Sequence, residues 1–233
     1  MRSVDFVRRV LLCAVTLQTF AAVAEDHTVQ LVVEQQGNVT NAYVAGDGTY
    51  ASVVKDILVL REQPINDTSI LDRIVGNFND LPPPYYLEAA RRLCLRDADA
   101  ARDWLTLYST RARYDALRCT DPSAIETVRS ALFTLQIPEC QAAMSETEEL
   151  VQALIRTADR PDLLASRASP WWICSSGMGL LQQELAKATG ETLPPPSVVK
   201  ESAWIRPEGE WPAVAAEVLA QLQYSIEKHT SKK

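Results

Sequence analysis

The side chains that carry most protein chemistry are scarce in this 233-residue chain, and the scarcity narrows what it can do. Its two histidines, His27 and His229, stand near opposite ends. That spacing suits neither a histidine-based triad nor a histidine-rich metal site, and Cys-x-x-Cys pairs, phosphate loops and dinucleotide glycine patterns do not occur. No metal and no cofactor are expected. Ser175-Ser176-Gly177-Met178-Gly179 has the small residues of a nucleophile turn but lacks the leading glycine and a base, so it reads as a helix cap. Glu146, Glu148 and Glu149 are carboxylates of the kind that break glycans. Neighbouring acids at a helix start ordinarily serve only the dipole and solubility. No catalytic residue is assigned, and a non-catalytic role is favoured.

Two groups are candidates for binding. Trp171, Trp172, Trp204 and Trp211 place four of the five tryptophans in the C-terminal third. Clustered tryptophan makes interface hot spots and sugar-stacking platforms, or fills a core around a disulfide. Arg91, Arg92, Arg111 and Arg113, with Arg96, Arg102 and Arg118, are concentrated in the middle of the chain. They could recognise carboxylates or phosphates, or pair along their helices with Glu88, Asp97, Asp99, Asp103 and Asp115.

Cysteines and the first residues define the compartment. Arg2, Arg8 and Arg9 precede an apolar run from Val10 to Val23, and Ala22-Val23-Ala24 is the small-x-small pattern of signal-peptide cleavage. Residues 1–24 are read as a signal peptide, with the mature chain starting at Glu25 in the periplasm or outside the cell. A lipoprotein is disfavoured because Leu12 precedes Cys13. Cys94, Cys119, Cys140 and Cys174 remain, an even set in an oxidising compartment, and two disulfides are expected. Asn38-Val39-Thr40 and Asn66-Asp67-Thr68 fit the glycosylation pattern, which matters only in a eukaryotic secretory route.

Losing the leader removes three arginines and one aspartate, taking the net charge from −7 to −9. Nucleic acid and anionic membrane surfaces would repel such a chain, whereas a basic protein partner suits it. No segment is long and apolar enough to read as a membrane span.

The elements that must position these residues are mainly helical. No glycine occurs between Gly76 and Gly177, a stretch where hairpin turns would need several. Pro84 opens a helix to about Cys94. A long helix follows from about Asp99 to Leu117, its apolar face formed by Ala101, Trp104, Leu105, Tyr108 and Ala112. Asp121 caps a helix that starts at Pro122 and ends near Gln136, and Ser145 with Glu148 forms the capping box of another that closes before Pro161. Ser176 to Thr189 reads as helix, Pro194-Pro195-Pro196 as a stiff connector, and Trp211 to Ile226 as the last helix, with Lys228 to Lys233 a solvated tail.

Four segments result: the signal peptide 1–24, an N-terminal segment 25–81 that is partly extended with a short helix, a helical core 82–193, and the connector with the C-terminal helix 194–233. Val29, Leu31 and Val33 alternate like a strand and Gly46-Asp47-Gly48 marks a turn before Tyr50 to Leu60, so this stretch is either a short hairpin or a structureless arm, with a short helix after Asp67. The expected fold is a helical bundle or helical-hairpin array. If the first two core helices are antiparallel, Cys94 and Cys119 lie roughly 30 Å apart along the axis and cannot bond; the next helix runs back and carries Cys140 toward Cys94, which favours Cys94 with Cys140 and Cys119 with Cys174.

The favoured function is an exported protein-binding or accessory protein, for instance an immunity-type inhibitor of a toxin or envelope enzyme. The alternatives are a carboxylate-dependent cell-wall glycan or peptide hydrolase and a small-ligand binding protein with an apolar pocket lined by the tryptophans.

Overall fold

The computed structural model describes residues 25–36, 38–135, 147–189 and 192–231. Among them lie two long strands, β1 (Asp26–Gln36) and β2 (Val39–Gly46), then α1 (Tyr50–Arg61), α2 (Thr68–Asn77), α3 (Pro84–Leu93) and α4 (Ala98–Leu117). A 3-10 turn (Pro122–Ala124) leads into α5 (Ile125–Thr134), followed by α6 (Thr147–Ala158), α7 (Trp171–Cys174) and α8 (Met178–Leu185). Strand β3 (Ser197–Lys200) and two further 3-10 turns precede α9 (Trp211–Thr230).

The N-terminal alternation resolves as a sheet, but the partner of the first strand precedes the Gly46–Gly48 turn, and Tyr50–Arg61 after it is helix α1 rather than hairpin. β1 is the centre of the sheet, antiparallel to β2 on one side and to β3 on the other. Val29 and Leu31 are buried on one face, and Val29 meets Val44, Val199, Leu180 and Trp171 there. Val33, in the same alternation, is exposed, because the strand has by then run past the helices. β3 was not anticipated. Four residues behind a proline run carry too little pattern to announce a strand, and only the partner β1 makes one.

Helix starts follow their caps. Gly48 takes φ 69°, a left-handed turn that delivers Thr49 to the N-cap of α1. Asp67 and Asp97 cap α2 and α4 by accepting from Ser69 and Ala100 amides at 2.9 Å each. Pro84 stands at the start of α3 as expected.

α4 differs from its expected one-faced character. It packs against α3, α5, α6, α7 and α9, and Ala101, Arg102, Thr106, Leu107, Tyr108, Thr110, Arg111, Ala112, Tyr114, Asp115 and Ala116 are all buried. The apolar stripe predicted from sequence is one side of a helix enclosed on several. Three other expectations shift. The segment 176–189 is not one helix, because Gly177 is extended (φ −62°, ψ 147°) between α7 and α8. The 3-10 turn replaces the first turn of the Pro122 helix. The last helix runs through Thr230, into the stretch expected as tail. The Ser145 capping box and Glu146 lie outside the described residues.

Cys119, just past α4, is bonded to Cys174 at the end of α7, with Cα atoms 5.2 Å apart, as the hairpin geometry favoured. The other expected bridge ends at Cys140, which lies outside the described residues. The bonded pair is 55 residues apart in sequence. Removing both sulfurs with Cys119→Ala and Cys174→Ala is expected to destabilise the protein by about 4 kcal/mol on the chain-entropy scale for such a loop. Denaturant unfolding of variant and parent under oxidising conditions measures it.

Candidate functional site

The arginines singled out in the sequence are mostly interior. Arg91 and Arg92 are buried on α3 and share the fully buried Glu88 carboxylate, with N–O distances of 2.8 to 3.0 Å, and Arg61 joins it at 3.3 Å. Arg92 also donates to the carbonyls of Leu60, Pro64 and Asp67. Arg111, fully buried, donates to the Leu163 and Asp162 carbonyls, Asn79 Oδ1 and the Tyr86 hydroxyl at 2.6 to 2.8 Å, and lies 4.8 Å from the Phe78 ring centroid. Arg118 pairs with Asp115, and Arg102 with Asp99. Arg113 is half-buried, and its enclosed Nε has no hydrogen-bond partner among the described residues.

The tryptophans are spread through the packing. Trp172 donates its indole N–H to the buried Asp115 at 2.7 Å. Burial pushes the Asp115 pKa up, while Arg118 and that indole oppose the rise. Trp171 stacks on His27 with centroids 4.4 Å apart and donates to the Asp47 carbonyl. Trp204 packs beside Gly179, and Trp211 lies under the Arg118 guanidinium and donates to the Arg206 carbonyl.

Ser175 and Ser176 hydrogen-bond to the Trp172 and Ile173 carbonyls and to Tyr50 N–H and Thr127 Oγ1, with no histidine in reach. Asp121 closes this corner by accepting from the Gly179 amide at 2.6 Å and from Ser123. A Cβ at Gly177 would stand 2.5 Å from Asp121 Oδ2, so the glycine is needed for that approach. Glu148 and Glu149 lie in the first turn of α6. No group of three or more His, Cys, Asp or Glu side chains among the described residues could hold a metal ion.

A concave site lies elsewhere, between α1, α2 and the start of α3. It encloses about 590 Å³ and is lined by Asp56, Val59, Leu60, Arg73, Ile74, Asn77, Leu81 and Tyr85. The floor is apolar. Tyr85 donates to Asp56 Oδ2 at 3.4 Å, and Asn77 is tied back to the Arg73 carbonyl at 2.8 Å. Burial and then the Asp56 charge hold the Tyr85 hydroxyl above its ordinary pKa, so it stays a donor at neutral pH. At the groove Val59 is 51% exposed; Leu58 and Val75, on the same two helices but outside the lining, are 48 and 45% exposed. Apolar groups that remain in water beside a concave floor mark a contact surface. None of these residues is among the binding candidates read from the sequence. The available signal was α1 itself, whose Val53, Val54, Ile57, Leu58, Val59 and Leu60 are too many for one buried stripe.

Two outcomes follow from the charged interior. Glu88→Ala, which strands Arg91 and Arg92 without their carboxylate, is expected to cost about 3 to 5 kcal/mol in denaturant unfolding. Asp80→Ala, which breaks an exposed pair with Arg167, is expected to leave stability essentially unchanged. Acid sensitivity is expected at Asp121. Burial raises its pKa, but the Gly179 amide and the Ser123 hydroxyl and amide outweigh burial and hold it below the ordinary carboxylate value. The folded state therefore takes up this proton less readily than the unfolded chain. Its contribution is complete above about pH 4 and disappears as pH falls through the folded value. Asp121→Asn should flatten the acid limb of a stability profile below about pH 4. The geometry carries the functional reading unaided, since comparisons with protein-family models, curated proteins and solved structures find no match for this chain.

Proposed function

We propose that this chain is an exported accessory protein that binds another protein, in the manner of an immunity-type inhibitor, through the groove between α1 and α2. The observation that carries the reading is an apolar floor edged by the half-exposed Val59, with one carboxylate, Asp56, and one cation, Arg73, in its lining. The occupant is a segment of a basic protein: apolar side chains fill the floor over Ile74 and Leu81, and a cation meets Asp56. A net charge of −7, or −9 without the leader, steers such a partner in. Export is supported by the leader pattern and by the Cys119–Cys174 bond, which belongs to an oxidising compartment. The same compartment supports Cys94 with Cys140 as a second bridge. No helix among the described residues is long and apolar enough to cross a membrane.

Gly76 adds a second mark. It is the next-to-last residue of α2, exposed, and a Cβ there would meet nothing within 4 Å, so the fold does not require it. Glycine inside a helix costs about 0.5 to 1 kcal/mol relative to alanine. A bare helix surface one turn from Arg73 lets a partner's backbone come close. The hydrolase alternative gains less, because the groove holds one carboxylate and glycan hydrolysis uses two.

Crosslinked pull-downs from envelope extract test the reading with three variants. Val59→Asp is expected to weaken capture of a basic protein at least ten-fold with the melting temperature unchanged. Gly76→Ala should raise stability by about 0.5 to 1 kcal/mol and weaken capture. Tyr224→Asp, at an exposed position on α9, should do neither. Capture indifferent to Val59→Asp sinks the assignment.

A further inference from the structure

The segment around Glu25 is gripped in an unusual way by one residue, Glu201. The backbone N–H of Glu201 donates to the Glu25 carbonyl at 3.1 Å, and the Glu201 side-chain Oε2 accepts from the Glu25 backbone nitrogen at 3.4 Å. The same Oε2 lies 3.7 Å from His27 Nε2, and Ser169 Oγ donates to Oε1. His27 is in turn fixed by its stack on Trp171, and Asp26 pairs with Lys200 where β1 meets β3. The charged groups facing the Glu201 carboxylate are thus the His27 imidazole of β1 and whatever charge the Glu25 nitrogen carries.

That environment is a poor one for an anion without a cation. The Glu201 side chain is only 12% exposed, and among the described residues its one ion-pair partner is His27, which is charged only when protonated. A carboxylate held this far from water favours a permanent counter-charge. The atom best placed to supply it is the Glu25 nitrogen, and Glu25 is the residue that the Ala22-Val23-Ala24 pattern makes the first of the mature chain.

We infer that Glu201 is the receptor for the α-ammonium group that leader removal creates at Glu25. Hydrolysis by a signal peptidase breaks the Ala24–Glu25 peptide bond. Water gives its hydroxyl to the Ala24 carbonyl carbon and its hydrogen to the Glu25 nitrogen, which takes a further proton from solvent. A neutral amide donor becomes a cation at the same position, and a hydrogen bond becomes an ion pair. The residue is held by a backbone hydrogen bond on its carbonyl and by charge on its nitrogen, so processing fastens the chain just before the central strand. The inference rests on the export reading proposed above.

Intact mass of protein purified from the native host fixes the first residue. The pH dependence of N-terminal acylation, followed by mass spectrometry of the N-terminal peptide, then reports the α-amino pKa. A captured amine should titrate about 0.5 to 1 unit above the ordinary ~7.7–8.0. Glu201→Gln, which keeps the shape and an acceptor for Ser169, should restore the ordinary value and speed acylation at pH 7.5 by roughly three- to ten-fold. Should that variant fail to accumulate, the parent titration decides alone. An ordinary α-amino pKa in the parent, or equal acylation of parent and variant, overturns the capture while leaving export standing. A first residue other than Glu25 overturns this inference, and retention of Met1 overturns export with it.

Discussion

Enclosing α4 obliges the protein to neutralise charge inside itself. Arg102, Arg111 and Asp115 of α4, with Glu88, Arg91 and Arg92 of α3, lie where water cannot screen them. An unpartnered charge there would cost more than any single apolar contact returns. Each therefore meets a partner of fixed geometry, and on α3 and α4 arginine is the cation used. A guanidinium offers five donors in a plane, so it can satisfy a carboxylate and still reach backbone carbonyls. Arg92 holds the irregular stretch after α1 through Leu60, Pro64 and Asp67, and Arg111 holds the stretch after α6 through Asp162 and Leu163. Charge buried for want of space around α4 thus organises connections that have no secondary structure of their own.

This anchoring explains how α1 and α2 can present apolar residues to water without collapsing on each other. Ile57 and Val53 fix α1 to the main core, and Ile70 and Ile74 fix α2 against Ala89 of α3. The C-terminus of α1 is tied down twice, by Arg92 at the Leu60 carbonyl and by Arg61, which reaches both Glu88 and the Leu135 carbonyl. A groove between elements held this firmly keeps its shape when empty. Preformed shape reduces the ordering that a partner would otherwise have to impose on binding.

How much of this could be read from residues alone depended on whether the cause was local. The starts of α3, α4 and α9 were legible because proline and aspartate act on the backbone beside them. The Cys119–Cys174 bond was legible because helix length forbade Cys94 to Cys119 and the returning next helix favoured Cys140 for Cys94. The burial of the arginines was not. A charged residue spaced for surface pairs looks the same whether a further helix covers it or not, and the cover on Arg111 comes from residues some fifty positions away. The groove escaped for a related reason: its residues come from three helices, and no single window holds both Asp56 and Tyr85. Strand β3 likewise exists only through β1.

The junction between sheet and helices is the four-residue α7. Trp171 turns toward the sheet, where it meets His27, Val29 and Val199, and the adjacent Trp172 turns into the helical core to reach Asp115. Two residues on, Cys174 is bonded to Cys119 at the end of α4, and Arg206 and Trp204 hold the same corner through the backbone of Arg118 and Thr120. With so many attachments on one short helix, the sheet has little means of detaching while the helices stay folded. Loss of the small sheet would uncover Trp171 and loosen Trp172 beside it, unseating the partner of the buried Asp115. Sheet and bundle are therefore expected to unfold in one transition, although their contacts form two separate apolar clusters.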